Sequence, residues 1–173
     1  MSTPVTTESI AYCIGSIGVL VEWQAYRLLC GMKFRRWSAA GAFFWALQYC
    51  LLGAWTAGLT MGVTAVRTLY SSYSHSQSKV LKHRGATLFV LLFCLLTAIS
   101  WQGYISLLPA FAVINTTLAL FYFKNRLMRT VLIASSAAWI LNDLYWRAWP
   151  ALLAETVAVG INARTIWRLS INK

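Results

Sequence analysis

Residues 45–71 read WALQYCLLGAWTAGLTMGVTAVRTLYS: two apolar helical runs joined at 54–58, with one charged residue, Arg67, well inside the second. Offsets of three and four return to the same side of a helix, so Thr60, Thr64, Arg67 and Ser71 share a face. An ionisable group inside a membrane span costs about 2.5 to 3.5 kcal/mol even on lenient insertion scales, which turns such a face toward protein or a watery cavity. The other reading is that the arginine stem snorkels to the inner headgroups. Both readings follow from helix position alone.

The rest of the chain repeats or connects this stretch. Of its 173 residues, 59% are hydrophobic and 11% charged, too few polar groups to coat a soluble globule of that length. The expectation is an all-α integral membrane protein of one domain. The opening residues MSTPVTTE carry no basic region before the first apolar run, which makes that run a retained span rather than a cleaved signal peptide.

Seven spans are expected, at about 10–26, 39–54, 57–73, 86–101, 104–123, 130–145 and 150–169, several near the short limit of roughly 17 residues. Basic residues set their orientation. Arg27, Lys33, Arg35, Arg36, Lys79, Lys82, Arg84, Lys124, Arg126, Arg129, Arg168 and Lys173 fall in alternate loops or the tail. The opposite side holds Arg147 alone, with Arg67 and Arg164 inside spans. The N-terminus is therefore expected outside and the C-terminus in the cytoplasm. Trp23, Trp37, Trp55, Trp101, Trp146, Trp149 and Trp167 lie near span ends, as interfacial aromatic belts require.

An odd number of spans suggests three plus one plus three: two parallel three-helix repeats at 1–74 and 103–173, joined by a linker and fourth helix at 75–102. Trp45-x-x-Gln48 in span two is echoed by Trp139-x-x-Asn142 in span six. Thr64-x-x-Arg67 in span three is echoed by Thr165-x-x-Arg168 in span seven, seven positions out of step with the first echo. A longer six–seven loop would absorb that difference. Parallel repeats with a site between them are a known transporter plan.

The net charge of +11 sits in short loops beside anionic lipid, and no loop offers the long basic, aromatic-interleaved face that nucleic acid needs. Cys13, Cys30, Cys50 and Cys94 form no CxxC pair and read as small buried apolar residues, so neither a metal nor another cofactor is expected. There is no HExxH, and the Gly15-Ser16-Ile17-Gly18 run lacks an intramembrane histidine as base. An enzyme is not expected. Those glycines allow close helix packing instead.

The strings FRRWS at 34–38, LLG at 51–53, Ala57-Gly58, Arg67-Thr68, Leu108-Pro109, ALF at 119–121, Lys124, Met128-Arg129, Trp139, Glu155, Asn162 and Trp167-Arg168 resemble, in order and spacing, the YgjV-type bacterial inner-membrane proteins. The resemblance covers nearly the whole chain and implies the bacterial inner membrane as its location. That family's layout is similar to the PQ-loop and SWEET transporters. The chain departs from the family pattern at Thr64 and Thr165, where an Asn-x-x-Arg arrangement is expected, at Gln48, where a histidine can occur, and at Glu22.

The expected function is a small transporter or facilitator. A polar solute would bind near the midplane and two rocking triplets would alternate access. Thr64, Arg67, Asn115, Glu155 and Asn162 are the candidate binding or coupling residues, with Gln48, Asn142, Thr60 and Thr165 lining the cavity. Arg67 favours an anionic or strongly hydrogen-bonding solute, although an uncharged one also fits. Glu155 either pairs with Arg67, takes up a proton or lies at the outer interface. Asn115 either meets solute or glues two helices. Pro109 would bend its helix at a hinge. Asp143 and Arg147 are expected to pair on a helix surface, and Glu22 with a loop arginine. The rival reading is a non-transporting scaffold or accessory subunit, alone, as a homo-oligomer or beside a partner membrane subunit.

Overall fold

The computed structural model describes residues 4–27, 31–74, 79–123 and 125–171. Among them run seven α-helices: α1 (Pro4–Arg27), α2 (Gly31–Leu51), α3 (Trp55–Ser74), α4 (Lys79–Ile99), α5 (Leu107–Tyr122), α6 (Asn125–Trp146) and α7 (Trp149–Ile171), with a 3₁₀ turn at Tyr104–Ser106 leading into α5. Among the described residues two stretches are long and apolar enough to cross a bilayer, Lys79–Ile99 and Tyr104–Tyr122. The helices overrun the expected spans into the basic segments. Lys33, Arg35 and Arg36 lie in α2, Lys79, Lys82 and Arg84 in α4, and Arg129 in α6, because lysine and arginine are good helix formers and nothing interrupts the backbone there. Cys30, His75, Lys124 and Lys173 lie outside the described residues. Of Arg27, Arg126 and Arg168 only the helical backbone is described.

Each helix packs against its sequence neighbours, with α2 between α1 and α3 and α6 between α5 and α7. Two further contacts close the ring, α1 with α7 and α3 with α5, while α4 lies against α3 and α5. The α1–α2 seam is tight because Gly18 brings its backbone to the Phe44 Cβ and the Trp45 ring, where an added Cβ would stand at 3.3 and 3.4 Å.

The turn joining α2 to α3 spans 52–54, earlier than expected, and its geometry explains why. Gly53 takes a left-handed φ of 79°; its N–H bonds the Cys50 carbonyl at 3.1 Å, and the Ala54 N–H reaches the Tyr49 carbonyl at 2.9 Å. These are the two bonds of a Schellman helix end. The turn joining α6 to α7 repeats it. Arg147 has φ 54°, its N–H points at the Leu144 carbonyl at 3.4 Å, and the Ala148 N–H bonds the Asp143 carbonyl at 2.8 Å. Ala54 and Ala148 are both buried, and Trp55 and Trp149 both exposed.

The match corrects one sequence echo. Tyr49 and Asp143 are 94 positions apart, as are Trp45 and Trp139, and the equal turns carry that offset unchanged into α3 and α7. Position for position, Ala158 and Ile161 then stand opposite Thr64 and Arg67. Thr165 and Arg168 lie two helical turns further on. In α1 and α5 the same offset pairs Val19 with Val113 and Ala25 with Ala119, all buried.

The turns after α2, α4 and α6 gather at one end of the bundle. The Gln102 side-chain amide donates to the Gly53 carbonyl at 2.8 Å, the Thr56 hydroxyl to the Ser100 carbonyl at 2.6 Å, and the Trp146 ring approaches Gly53. The basic beginnings of α2, α4 and α6 lie at the other end. Pro109 is the third residue of α5, where its missing N–H costs no helical bond, so it starts the helix rather than bending it. Cys13 and Cys94 are exposed rather than buried.

Candidate functional site

A central polar cluster joins α2 and α6. The Tyr49 hydroxyl donates to Asp143 Oδ1 at 2.6 Å, and the Tyr49 ring stacks on Trp139 with centroids 5.6 Å apart. The Asn142 amide points at the same carboxylate oxygen from 3.4 Å. Tyr49, Asp143, Asn142 and Gln48 are each at most 1% exposed. Asp143 therefore faces inward, and the expected surface pair with Arg147 does not form. Arg147 lies in the turn, exposed.

Gln48 and Asn142, expected to line a cavity, occupy matching places beside this contact. Both amide atoms of Gln48, the carbonyl oxygen of Asn142 and Oδ2 of Asp143 are buried without a hydrogen-bond partner. Gln48 presses on Gly15 of α1, where any Cβ would collide with its amide. Glu155 of α7 is half-buried and bonds Ser136 of α6. Glu22 of α1 accepts from the Trp45 indole at 3.2 Å.

Arg67 forms a separate site where α3, α4 and α5 meet. Its Nη1 donates to the Thr117 hydroxyl at 2.7 Å and to the Val113 carbonyl at 3.2 Å. Its guanidinium carbon lies 5.8 Å from the Phe93 ring centroid, a cation–π distance. At 3% exposure the side chain does not snorkel outward, and it is held by α5 rather than by Glu155. Its Nε and the nearby Thr64 hydroxyl are buried without partners. Thr60 is fully buried and bonds carbonyls of its own helix.

The remaining expected residues are not drawn to either place. Asn115 and Thr165 bond carbonyls one turn back in their own helices. Asn162 accepts from Arg129 at 2.8 Å. Glu155 and Asn162 of α7 are thus drawn to Ser136 and Arg129 instead of facing Arg67. Sequence reasoning missed Tyr49, Thr117 and Ser136 and misplaced Asp143. The echo of Gln48 and Asn142 was the available signal, since Tyr49 and Asp143 are the next residue in each copy.

The buried polar contacts and basic helix starts described above belong to a chain matched over residues 9–173 by the family model Imp-YgjV, described as a bacterial inner membrane protein. This chain is a member of that family. Membership makes it a bacterial inner-membrane protein and accounts for an outward surface carrying Leu88, Leu91, Leu95 and Ile99 of α4 exposed in one stripe. No curated protein matches the chain. No solved structure matches it either.

Proposed function

We propose that this chain is a small carrier of polar solutes, with seven spans arranged as two parallel triplets, α1–α3 and α5–α7, linked by α4. The turns after α2, α4 and α6 face outward and the basic helix starts face the cytoplasm. A two-fold relation that exchanges the triplets also exchanges the α3–α5 contact with the α7–α1 contact, and the matching turns fit it. The layout is that of the PQ-loop and SWEET transporters, and the proposed state is occluded. No catalytic constellation is invoked.

The observation that carries the reading is the position of the unpartnered polar atoms. Gln48, Asn142, Asp143, Thr64 and Arg67 hold every such buried side-chain atom among the described residues; Asn142 and Asp143 lie at the α2–α6 contact and Arg67 at the α3–α5 contact, while Gln48 faces Gly15 of α1. Leaving a buried polar group unsatisfied costs about 1 to 3 kcal/mol, which a structural glue would avoid and a solute or water in an opened state would repay. Arg67 with Thr64 suits an anionic or strongly hydrogen-bonding group.

The test is a thermal-shift screen of the purified protein against organic acids, sugars, nucleosides and vitamins, with Arg67→Ala alongside. A solute at one hundred times its dissociation constant stabilises by about 2.7 kcal/mol. A class that stabilises the parent and not the variant supports the carrier. A second reading, a scaffold for a partner membrane subunit or a second copy, draws on the closed packing around Arg67. Silence across the whole screen, with Arg67→Ala merely melting earlier, would favour it.

A further inference from the structure

The donor and acceptor balance at the centre of the bundle is uneven. Asp143 Oδ1 already receives Tyr49 and Asn142. Asp143 Oδ2, Asn142 Oδ1 and Gln48 Oε1 remain buried without a donor, against one amide nitrogen, that of Gln48, without an acceptor. Among the described residues no basic side chain compensates: the interactions of Asp143 are with Tyr49 and Asn142, Arg67 is held by α5, and Arg147 is exposed in the turn. A carboxylate sealed in this way with no cation beside it carries a large desolvation penalty. Bonding these acceptors calls for a group that is positive and donates a hydrogen bond.

The surrounding titratable groups add acid, not base. From α2 comes Tyr49; from α7, Glu155, bonded to Ser136 and within electrostatic reach of both Asp143 and Glu22; from α1, Glu22, bonded to Trp45. The α5 helix contributes no charged residue.

We propose that Asp143 is a proton-binding site: its Oδ2 takes a proton from a hydronium ion and thereby adds one donor to a cluster short of donors. One O–H bond forms, one proton leaves a hydronium ion, and no other bond changes. Glu155, half-buried on the adjacent helix, is the second carboxyl through which the proton exchanges with water. The site stands on burial and hydrogen bonding and does not need a solute; in a carrier it makes transport proton-coupled.

The test is infrared spectroscopy of the purified full-length protein in lipid nanodiscs at neutral pH. The parent is expected to show a protonated-carboxyl C=O band that shifts in deuterated buffer, is indifferent to replacing choline by sodium, and is lost in Asp143→Asn. Tyr49→Phe keeps the carboxyl and removes one bond to it, so the band should persist at higher frequency. This second variant decides the matter if Asp143→Asn does not fold. An unchanged band in either variant overturns the proposal. So does a parent that lacks the band, and stabilisation of that parent by sodium at constant ionic strength would assign the acceptors to a metal cation instead. A solute screen without hits leaves these readouts unaffected, so failure of the carrier reading and failure of the proton site are separately visible.

Discussion

Tyr49 and Asp143 stand 94 positions apart in the chain and 2.6 Å apart in space. Each is the residue whose carbonyl closes the Schellman turn after its helix, so the two occupy matching places and touch each other. Only residues on or beside a two-fold axis can do both, which is why the proposed relation between triplets has its axis here.

Tyr49→Phe isolates that contact. The ring stays on Trp139, and the buried carboxyl loses its shorter donor. The expected cost is about 1 to 3 kcal/mol, read by denaturant unfolding in detergent. Tyr104→Phe, at a tyrosine 87% exposed in the 3₁₀ turn, should change stability by less than about 0.5 kcal/mol. Equal effects of the two substitutions would mean that the central bond contributes nothing of its own.

Gly15 and Gln48 are coupled by space rather than by hydrogen bonding. A methyl at position 15 meets the Gln48 amide, which must swing aside within a buried site, and overpacking costs up to about 1 to 3 kcal/mol. Shortening Gln48 to alanine opens the space. Gly15→Ala should therefore destabilise the parent and be nearly neutral in a Gln48→Ala background, a non-additivity that a double-mutant cycle measures directly. Additive effects would place the two side chains out of contact.

The helical architecture was legible because apolar runs, basic loops and interfacial tryptophans are one-dimensional signals. The helix ends were not. Lys33 and Lys79 look like loop residues by charge, yet a helix tolerates them as it leaves the apolar layer. The partners of Asp143 and Arg67 were also hidden, for a different reason. Spacing along one helix predicts which residues share a face, and so it offered Arg147 to Asp143; Glu155 was offered to Arg67 only as a carboxylate inside another span. The actual partners, Tyr49 and Thr117, come from helices 94 and 50 positions away, and only packing brings those together. The Thr64-x-x-Arg67 echo is out of step with the two turns, whose shared geometry lies 94 positions apart and is invisible in the sequence.

Arg147 carries the conformation that its counterpart assigns to glycine. Its φ of 54° matches the 79° of Gly53, and a left-handed residue with a Cβ bears roughly 1 to 2 kcal/mol of strain. Being exposed, the arginine side chain gives little back. Arg147→Gly is expected to stabilise the protein by about 1 kcal/mol, whereas Gly53→Arg should destabilise it by a similar amount, both read from melting in detergent. A loss of stability in Arg147→Gly would show that the arginine side chain makes a contact worth more than the strain.

Thr117 offers the sharpest division between carrier and scaffold. Its hydroxyl proton is committed to the Val113 carbonyl at 2.6 Å, which turns the oxygen lone pair toward the Arg67 guanidinium at 2.7 Å. Thr117→Val keeps the volume and removes that acceptor, at an expected cost of about 1.5 to 3 kcal/mol for a bond to a charged group. Thr117→Ser should retain most of it. In a carrier, however, Thr117 competes with an anionic solute for the same guanidinium. The valine variant should then melt earlier without ligand yet show a larger stabilisation by a solute that binds the parent. A scaffold predicts the first effect alone. Melting curves of parent, Thr117→Val and Thr117→Ser, each with and without the best anionic solute from the screen, separate the two. An equal ligand-induced shift in all three would remove Arg67 from the solute site while leaving its structural role intact.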